Sequence, residues 1–129
     1  MAESDADLHG LMLMDEPGFE HVMQCVFGIQ DHECRTYVEL LDVPGSTVSE
    51  LAEDLDRDRS NVNRSLATLM EKRLVERERR LLDSGGYVYQ YTAVPLPEAK
   101  ERMHEALEEW SERVHGRIDG FGTGSNEAF

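Results

Sequence analysis

The chain has 129 residues, 40% of them hydrophobic, which is enough for one domain with a real core and too few for two independent ones. Its 27 acidic and 13 basic residues give a formal net charge of −14, yet regular hydrophobic periodicity excludes the disorder that such acidity otherwise brings. No window approaches the roughly 18 apolar residues of a membrane span; the acidic opening MAESDADLHG also lacks the basic stretch of a secretory signal, which predicts a cytoplasmic protein with no membrane partner.

Residues 1–16 show no clean period and are expected to form a flexible N-terminal arm, whose run Leu11-Met12-Leu13-Met14 could rest on the domain or on a partner subunit. Pro17 can open a short helix with Phe19, Val22, Met23 and Val26 on one face, ended by Gly28. A second helix is predicted from Asp31, its N-cap, to about Val43. Cys34, Tyr37, Val38 and Leu41 share its buried face, and Pro44-Gly45 stops it. Thr47 and Glu50 have capping-box spacing and open a third helix with a buried stripe of Val48, Leu51, Ala52 and Leu55. After the turn Asp56-Arg57, Asp58 caps a fourth helix that points Val62, Leu66, Leu69 and Met70 inward. Two short helices joined by a tight turn, each with one apolar stripe, make a helix-turn-helix.

Leu74-Val75 closes the fourth helix. Glu76–Leu82 and Tyr87–Ala93 then alternate about the turn Asp83-Ser84-Gly85-Gly86, the pattern of a β-hairpin. A hairpin directly after a helix-turn-helix reads as a wing. Pro95 and Pro97 mark the exit into a long helix, from about Pro97 to Val114, with Ala99, Met103, Ala106, Leu107, Trp110 and Val114 along one side. Residues 119–129 are expected to be a flexible tail. The predicted class is α+β: a winged helix-turn-helix domain over 17–96, then a C-terminal dimerisation helix over 97–118.

Charge is distributed unevenly. Arg57 to Arg80 holds eight basic and four acidic residues, a net of +4; the remainder holds five basic and 23 acidic, a net of −18. A basic island in so acidic a chain points to a polyanionic partner. With Val62 as the buried pole of the fourth helix, Ser60, Asn61, Arg64 and Thr68 are expected on the exposed side and Asn63 on a flank. Arg can bond guanine O6 and N7, and Asn can bond adenine N6 and N7, so this face suits base edges in a major groove. Arg57 and Arg59 are better placed for phosphates. Arg79 and Arg80, just before the wing turn, suit the minor groove or the backbone, although each alone reads equally well as an exposed strand charge. The bland reading of the helix face is solvation; its place in a helix-turn-helix, inside the basic island, favours double-stranded DNA.

Several motifs carry a family resemblance: the Ser49–Glu53 helix SELAE, the recognition helix DRSNVNR from Asp58 to Arg64, the spacing LxxLxxxxLVxR from Leu66 to Arg77, and the Gly85-Gly86 wing turn. From Glu33 to about Glu112 the chain resembles the DNA-binding domain of TrmB-type archaeal transcription regulators, relatives of MarR and ArsR winged-helix proteins. The resemblance implies a sequence-specific DNA-binding regulator. Larger members carry a C-terminal sugar-binding domain that would begin about where this chain ends, so sugar sensing is not carried over. The acidic, lysine-poor composition is similar to that of proteins from extremely halophilic archaea, where such a surface stays hydrated in a salty cytosol. Met103, Leu107, Trp110 and Val114 form a stripe that a small domain covers only in part. A homodimer through that stripe, anchored by Trp110, would set two recognition helices about one DNA turn apart on a pseudo-palindromic operator.

The chain has no nucleophile elbow, phosphate-binding loop, dinucleotide fingerprint or HExxH, so neither enzyme activity nor a cofactor is assigned. His21 and Cys25 are i, i+4 and His32 lies near Cys34, but no Cys-x-x-Cys or further cysteine supports a metal site, and none is assigned. Both cysteines are expected as reduced thiols. Cys34 lies on an apolar stripe. Cys25 falls at about 240° from Phe19, beyond the stripe's edge and one turn after His21, whose imidazolium would favour the thiolate. That marks Cys25 as a candidate redox switch; the plainer alternative is a half-buried small hydrophobe. The rival function is a winged helix used only for protein–protein contact within the transcription machinery.

Overall fold

The computed structural model describes residue 13 and residues 16–122; apart from those positions, the expected arm over 1–16 and the tail beyond 122 lie outside the described residues. The described elements run α1 (Phe19–Phe27), α2 (Asp31–Asp42), α3 (Val48–Leu55), α4 (Arg59–Glu71), β1 (Val75–Leu81), β2 (Tyr87–Ala93) and α5 (Leu96–Gly120). The two strands form one antiparallel sheet, and the architecture is an α+β winged helix-turn-helix with a long C-terminal helix.

Local chemistry sets the element ends. Gly28 stops α1 at φ 70, a left-handed conformation that costs glycine nothing sterically. The N-cap of α2 is Gln30, one residue before the expected Asp31. Gln30 N donates to Glu33 Oε1 at 2.8 Å, and Asp31 becomes the first helical residue, where its charge favours the positive end of the helix. The expected capping box of α3 is formed. Glu50 N donates to Thr47 Oγ1 at 3.2 Å, and Thr47 N donates to Glu50 Oε1 at 3.0 Å. Asp56, left-handed at φ 55, ends α3 and begins the tight turn into α4. Arg73, at φ 63, turns the chain after α4, and Leu74 N donates back to Leu69 O at 2.9 Å, which folds the fully buried Leu74 into the core.

The core lies where α2, α3 and α4 meet the base of the hairpin and the first turns of α5. Leu40, Leu51, Leu66 and Leu69 have no exposed surface, and burial of each such side chain favours folding by about 1.5–3 kcal/mol. The buried face of α2 is rotated from the expected one: Leu40 is buried, Leu41 is partly so, and Val38 is 39% exposed. Adjacent leucines at 40 and 41 leave the helical period ambiguous, and packing of α2 against α4 and β2 decides it. Tyr37 keeps its expected place. Its hydroxyl donates to Val94 O at 2.7 Å, and burial, then the nearby Cys34 and Glu98, push the phenol from an ordinary 10 to about 12.

The wing pairs in continuous register from Val75↔Ala93 to Leu81↔Tyr87. Gly85 and Gly86, at φ 94 and 82, make the turn. The base of the wing is tied to the segment between α2 and α3. Gly45 N donates to Tyr91 O and Tyr91 N donates to Ser46 O, both at 2.8 Å. The Pro44-Gly45 stop signal therefore also supplies a bridge on the outer edge of β2.

Helix α5 continues to Gly120, past Val114 and two residues beyond the expected bound at 118; Gly116 lowers helix propensity but does not end the helix. Its first half packs on α1 and the core through Ala99 and Met103. No helix among the described residues is long and apolar enough to cross a membrane.

Candidate nucleic-acid interface

Helix α4 is the second helix of the helix-turn-helix. Val62, Ser65, Leu66 and Leu69 are buried, and Met70 is only partly so. On the opposite side Ser60, Asn63, Arg64 and Ala67 are exposed, while Asn61 and Thr68 are half-buried. The Arg64 guanidinium donates to Asn61 Oδ1, which holds the two candidate base readers together one turn apart. Asp58 stands at the N-cap position without capping a backbone N–H; its carboxylate accepts from Ser60 Oγ at 2.9 Å instead. The first turn of α4 has no acidic residue, but the Asp58 carboxylate itself stands at the positive end of the helix, so the cations for an anion there are Arg57 and Arg59. Ala67 was not among the sequence candidates, although steps of about 100° put it on the far side from Val62. Its methyl suits contact with the thymine methyl group.

Arg59 is exposed at the start of α4, and Arg57 is half-buried in the turn before it. Arg57 Nη1 donates to Ser65 Oγ at 3.3 Å. The same hydroxyl lies 3.0 Å from His32 Nδ1, and His32 Nε2 lies 3.0 Å from Gln30 Oε1. No sequence signal joined these four residues, because they come from α2, its cap, the turn and α4.

On the wing, strand alternation sends Arg79 and Arg80 to opposite faces of the hairpin. Arg79 shares its face with Arg77, a residue the sequence reading left unassigned. Arg77 Cζ lies 3.9 Å from the Tyr89 ring centroid and Arg79 Cζ lies 5.0 Å from that of Tyr87. The two tyrosines meet edge to face at 5.5 Å. Both guanidinium groups thus rest on aromatic faces that limit their swing. The signal was available as Arg-x-Arg opposite Tyr-x-Tyr on two paired strands. The ion pairs among the described residues, Arg35–Asp31 and Arg102–Glu98, lie outside the basic island, so its carboxylates do not neutralise its cations by direct pairing.

The stripe on α5 divides. Met103, expected on the dimerisation face, is 7% exposed and belongs to the chain's own core. Its position four residues before Leu107 continues the helical period, but α1 and the core already cover it. Val114 is half-buried. Leu107 and Trp110 remain 45% and 43% exposed, and Ile118 is 63% exposed beyond them. A cleft of about 370 Å³ runs between Cys25 and Val26 of α1 and Leu107, Trp110 and Arg113 of α5. Cys25 is half-buried there. Cys34 is fully buried, its thiol donates to Met23 Sδ at 3.7 Å, and burial, then Glu20 and Asp31, push it from an ordinary 9 to about 11. The described residues hold no group of three or more His, Cys, Asp or Glu placed to bind a metal ion.

The family model for TrmB, described as a sugar-specific transcriptional regulator, matches residues 23–97, from α1 through the wing to the start of α5. Two uncharacterised proteins of Methanocaldococcus jannaschii are each 38% identical to the chain. One aligns over 92 residues, 71% of this chain and 70% of that protein; the other aligns over 95 residues, 74% and 78%. Among solved structures, a possible transcriptional regulator from Methanosarcina mazei superposes with a TM-score of 0.73 at 24% identity, covering 81% of this chain and 88% of that one. The S. aureus MepR–DNA complex superposes with a TM-score of 0.51 at 17% identity, covering 75% and 79%. At these identities the structural likenesses speak for a shared fold.

Proposed function

We propose that this chain, which belongs to the TrmB family of transcriptional regulators, binds double-stranded DNA sequence-specifically as a homodimer. The observation that carries the proposal is the exposed face of α4, where Ser60, Asn63 and Arg64, with Asn61 bound to Arg64, stand on the second helix of a helix-turn-helix within the basic island. In this reading α4 lies in the major groove, and Arg64 and Asn61 read base edges. Arg57 and Arg59 hold phosphates at the helix start. Arg77 and Arg79 on one face of the wing, and Arg80 on the other, engage the flanking backbone or minor groove. The fold shared with MepR, whose structure is that of a DNA complex, supports this mode of binding.

Leu107, Trp110 and Ile118 support the homodimer, since they leave an apolar face on α5 that the other described residues do not cover. A twofold pair would match a pseudo-palindromic operator. The carboxylate-rich surface fits a salty cytosol. There each phosphate contact contributes less, because binding weakens with salt at a log–log slope of about −0.9 per neutralised phosphate, and base contacts and dimerisation contribute relatively more. A redox role for Cys25 would act through the same dimer surface, since Cys25 shares its cleft with Trp110. Equal DNA binding by wild type and Cys25→Ala, with and without mild oxidant, would remove that role.

The test is selection of duplexes from a random pool by the purified protein in high salt. Recovery of a pseudo-palindromic consensus is expected, with Arg64→Ala losing about 1–3 kcal/mol and relaxing the preference at one position of each half-site. Undiminished binding by the Asn61→Ala/Arg64→Ala variant would show that another surface reads the DNA. Failure to enrich any duplex, together with stoichiometric capture of a transcription-complex subunit, would favour the protein-contact reading.

A further inference from the structure

We propose that His32 and Ser65 are positioning residues for Arg57, so that α2, a helix outside the helix-turn-helix pair, sets the phosphate clamp at the turn of that motif. The inference rests on the DNA-binding reading above.

Ser65 is a fully buried polar residue on the inner side of α4. A buried hydroxyl needs partners, and this one finds them in Arg57 Nη1 at 3.3 Å and His32 Nδ1 at 3.0 Å. Donor and acceptor roles leave one consistent direction for the neutral ring. Gln30 Oε1 can only accept, so His32 Nε2–H donates to it across 3.0 Å. The bare Nδ1 then accepts the Ser65 hydroxyl proton. Arginine can only donate, and the Ser65 oxygen has its lone pairs free to receive Arg57. The chain of bonds is therefore directional from Arg57 through Ser65 and His32 to Gln30. At its far end Gln30 is anchored as the cap residue of α2 by its N–H to Glu33 Oε1. Thr36 Oγ1 also donates to His32 O at 2.8 Å, within the first turns of the same helix.

The bond to Ser65 uses one of the five N–H donors of the Arg57 guanidinium and leaves the others available to a phosphate. An arginine on an exposed turn loses rotamer freedom when it grips a ligand. One already tied at a terminal nitrogen has lost much of that freedom beforehand, so less is lost on binding. In high salt, where the electrostatic part of a phosphate contact is small, this preorganisation is a larger share of what the contact contributes.

The experiment uses the full chain and a labelled duplex that the wild-type protein has itself selected, with affinity measured across a salt series and thermal stability measured in parallel. Arg57→Ala is expected to reduce the salt slope by about 0.9 per protomer. His32→Leu is expected to weaken binding roughly fivefold in the wild-type background and to add nothing when Arg57 is already alanine, the signature of residues acting through one another. His32→Asn, whose Oδ1 can accept near the ring Nδ1 position, is expected to restore most of the loss. If His32→Leu does not fold, Ser65→Ala is measured in the same two backgrounds with the same expectation. A His32→Leu or Ser65→Ala loss that persists unchanged in the Arg57→Ala background overturns the proposal, as does no loss at all; in either case DNA binding by the wild type stands. Wild type that selects no duplex overturns the functional reading and this inference with it.

Discussion

Helices α4 and α5 each carry one apolar stripe, and the two stripes end up in different surroundings. Along α4, Val62, Leu66 and Leu69 are all fully buried within the protomer, and the opposite side is polar or small. Along α5, Ala99 and Met103 are buried, while Leu107, Trp110 and Ile118 continue the stripe into solvent. The cause is length. Twenty-five residues make a helix of about 37 Å, longer than the face a small domain offers it. A stripe read from sequence thus says that a face seeks burial, and the tertiary structure says how much of it the chain satisfies by itself. The exposed polar face of α4 and the exposed apolar end of α5 call for chemically different partners: a polyanion for the first, a second apolar surface for the second.

Four substitutions break or sharpen this contrast. Leu66→Ala removes a fully buried side chain from the satisfied stripe and should cost about 2–5 kcal/mol of folding stability by chemical denaturation; a loss below about 1 kcal/mol would mean that α4 is not held by its stripe. Trp110→Glu acts on the unsatisfied one. It should leave a folded protomer while weakening self-association by about 2 kcal/mol or more in light scattering at high salt, and a variant that stays fully dimeric would remove α5 from the interface.

Tyr37→Phe deletes the hydrogen bond from the core to Val94 and should cost about 1 kcal/mol. It should also flatten the alkaline limb of stability. The Tyr37 phenol rises from 10 to about 12 on folding and the Cys34 thiol from 9 to about 11, so both hold their protons more firmly in the folded state. Their stabilisation is full below about pH 9 and is lost as pH climbs through 9 to 12. Thermal melts across that range should show a shallower decline for Tyr37→Phe, and an identical decline would contradict the buried-phenol account. The smallest effect is expected from Arg77→Ala, which removes a guanidinium from above Tyr89. Up to about 1 kcal/mol of wing order should be lost, visible as shifted Tyr89 ring resonances, with a uniform weakening of DNA affinity and an unchanged consensus.

Legibility in the sequence followed the range of the interactions. The Thr47–Glu50 capping box, the Gly85-Gly86 turn and the alternating strands depend on neighbours within a few residues, and the chain spells them out. The α4 face was readable for the same reason, since one buried pole orients the whole helix. Contacts between distant segments leave no such mark. Nothing near Ser46 announces Tyr91 as its bridge partner, and nothing near His32 announces Ser65, 33 residues away. Leu40 and Leu41 could exchange roles until α4 and β2 packed against α2. Met103 and Leu107 looked equivalent because periodicity records a direction around a helix, whereas the edge of the domain falls at a distance along it.

The bonds at Gly45, Ser46 and Tyr91 give the wing the mechanics of a cantilever. It is clamped at Tyr91, and just behind the clamp the carbonyl of Val94 is gripped by the Tyr37 hydroxyl. Five strand residues, Arg77 to Leu81, project from the clamp to the turn, an arm of roughly 15 Å. A force applied at Gly85-Gly86 moves the tip most and stresses the root most. Deflection is greatest where the chain has only its hairpin partner to hold it, and the bending moment is greatest at Tyr91, which is bonded to the segment that follows α2. Amide exchange should accordingly slow from tip to root in the isolated protein, and a loaded wing should transmit its strain to the helix that also carries His32.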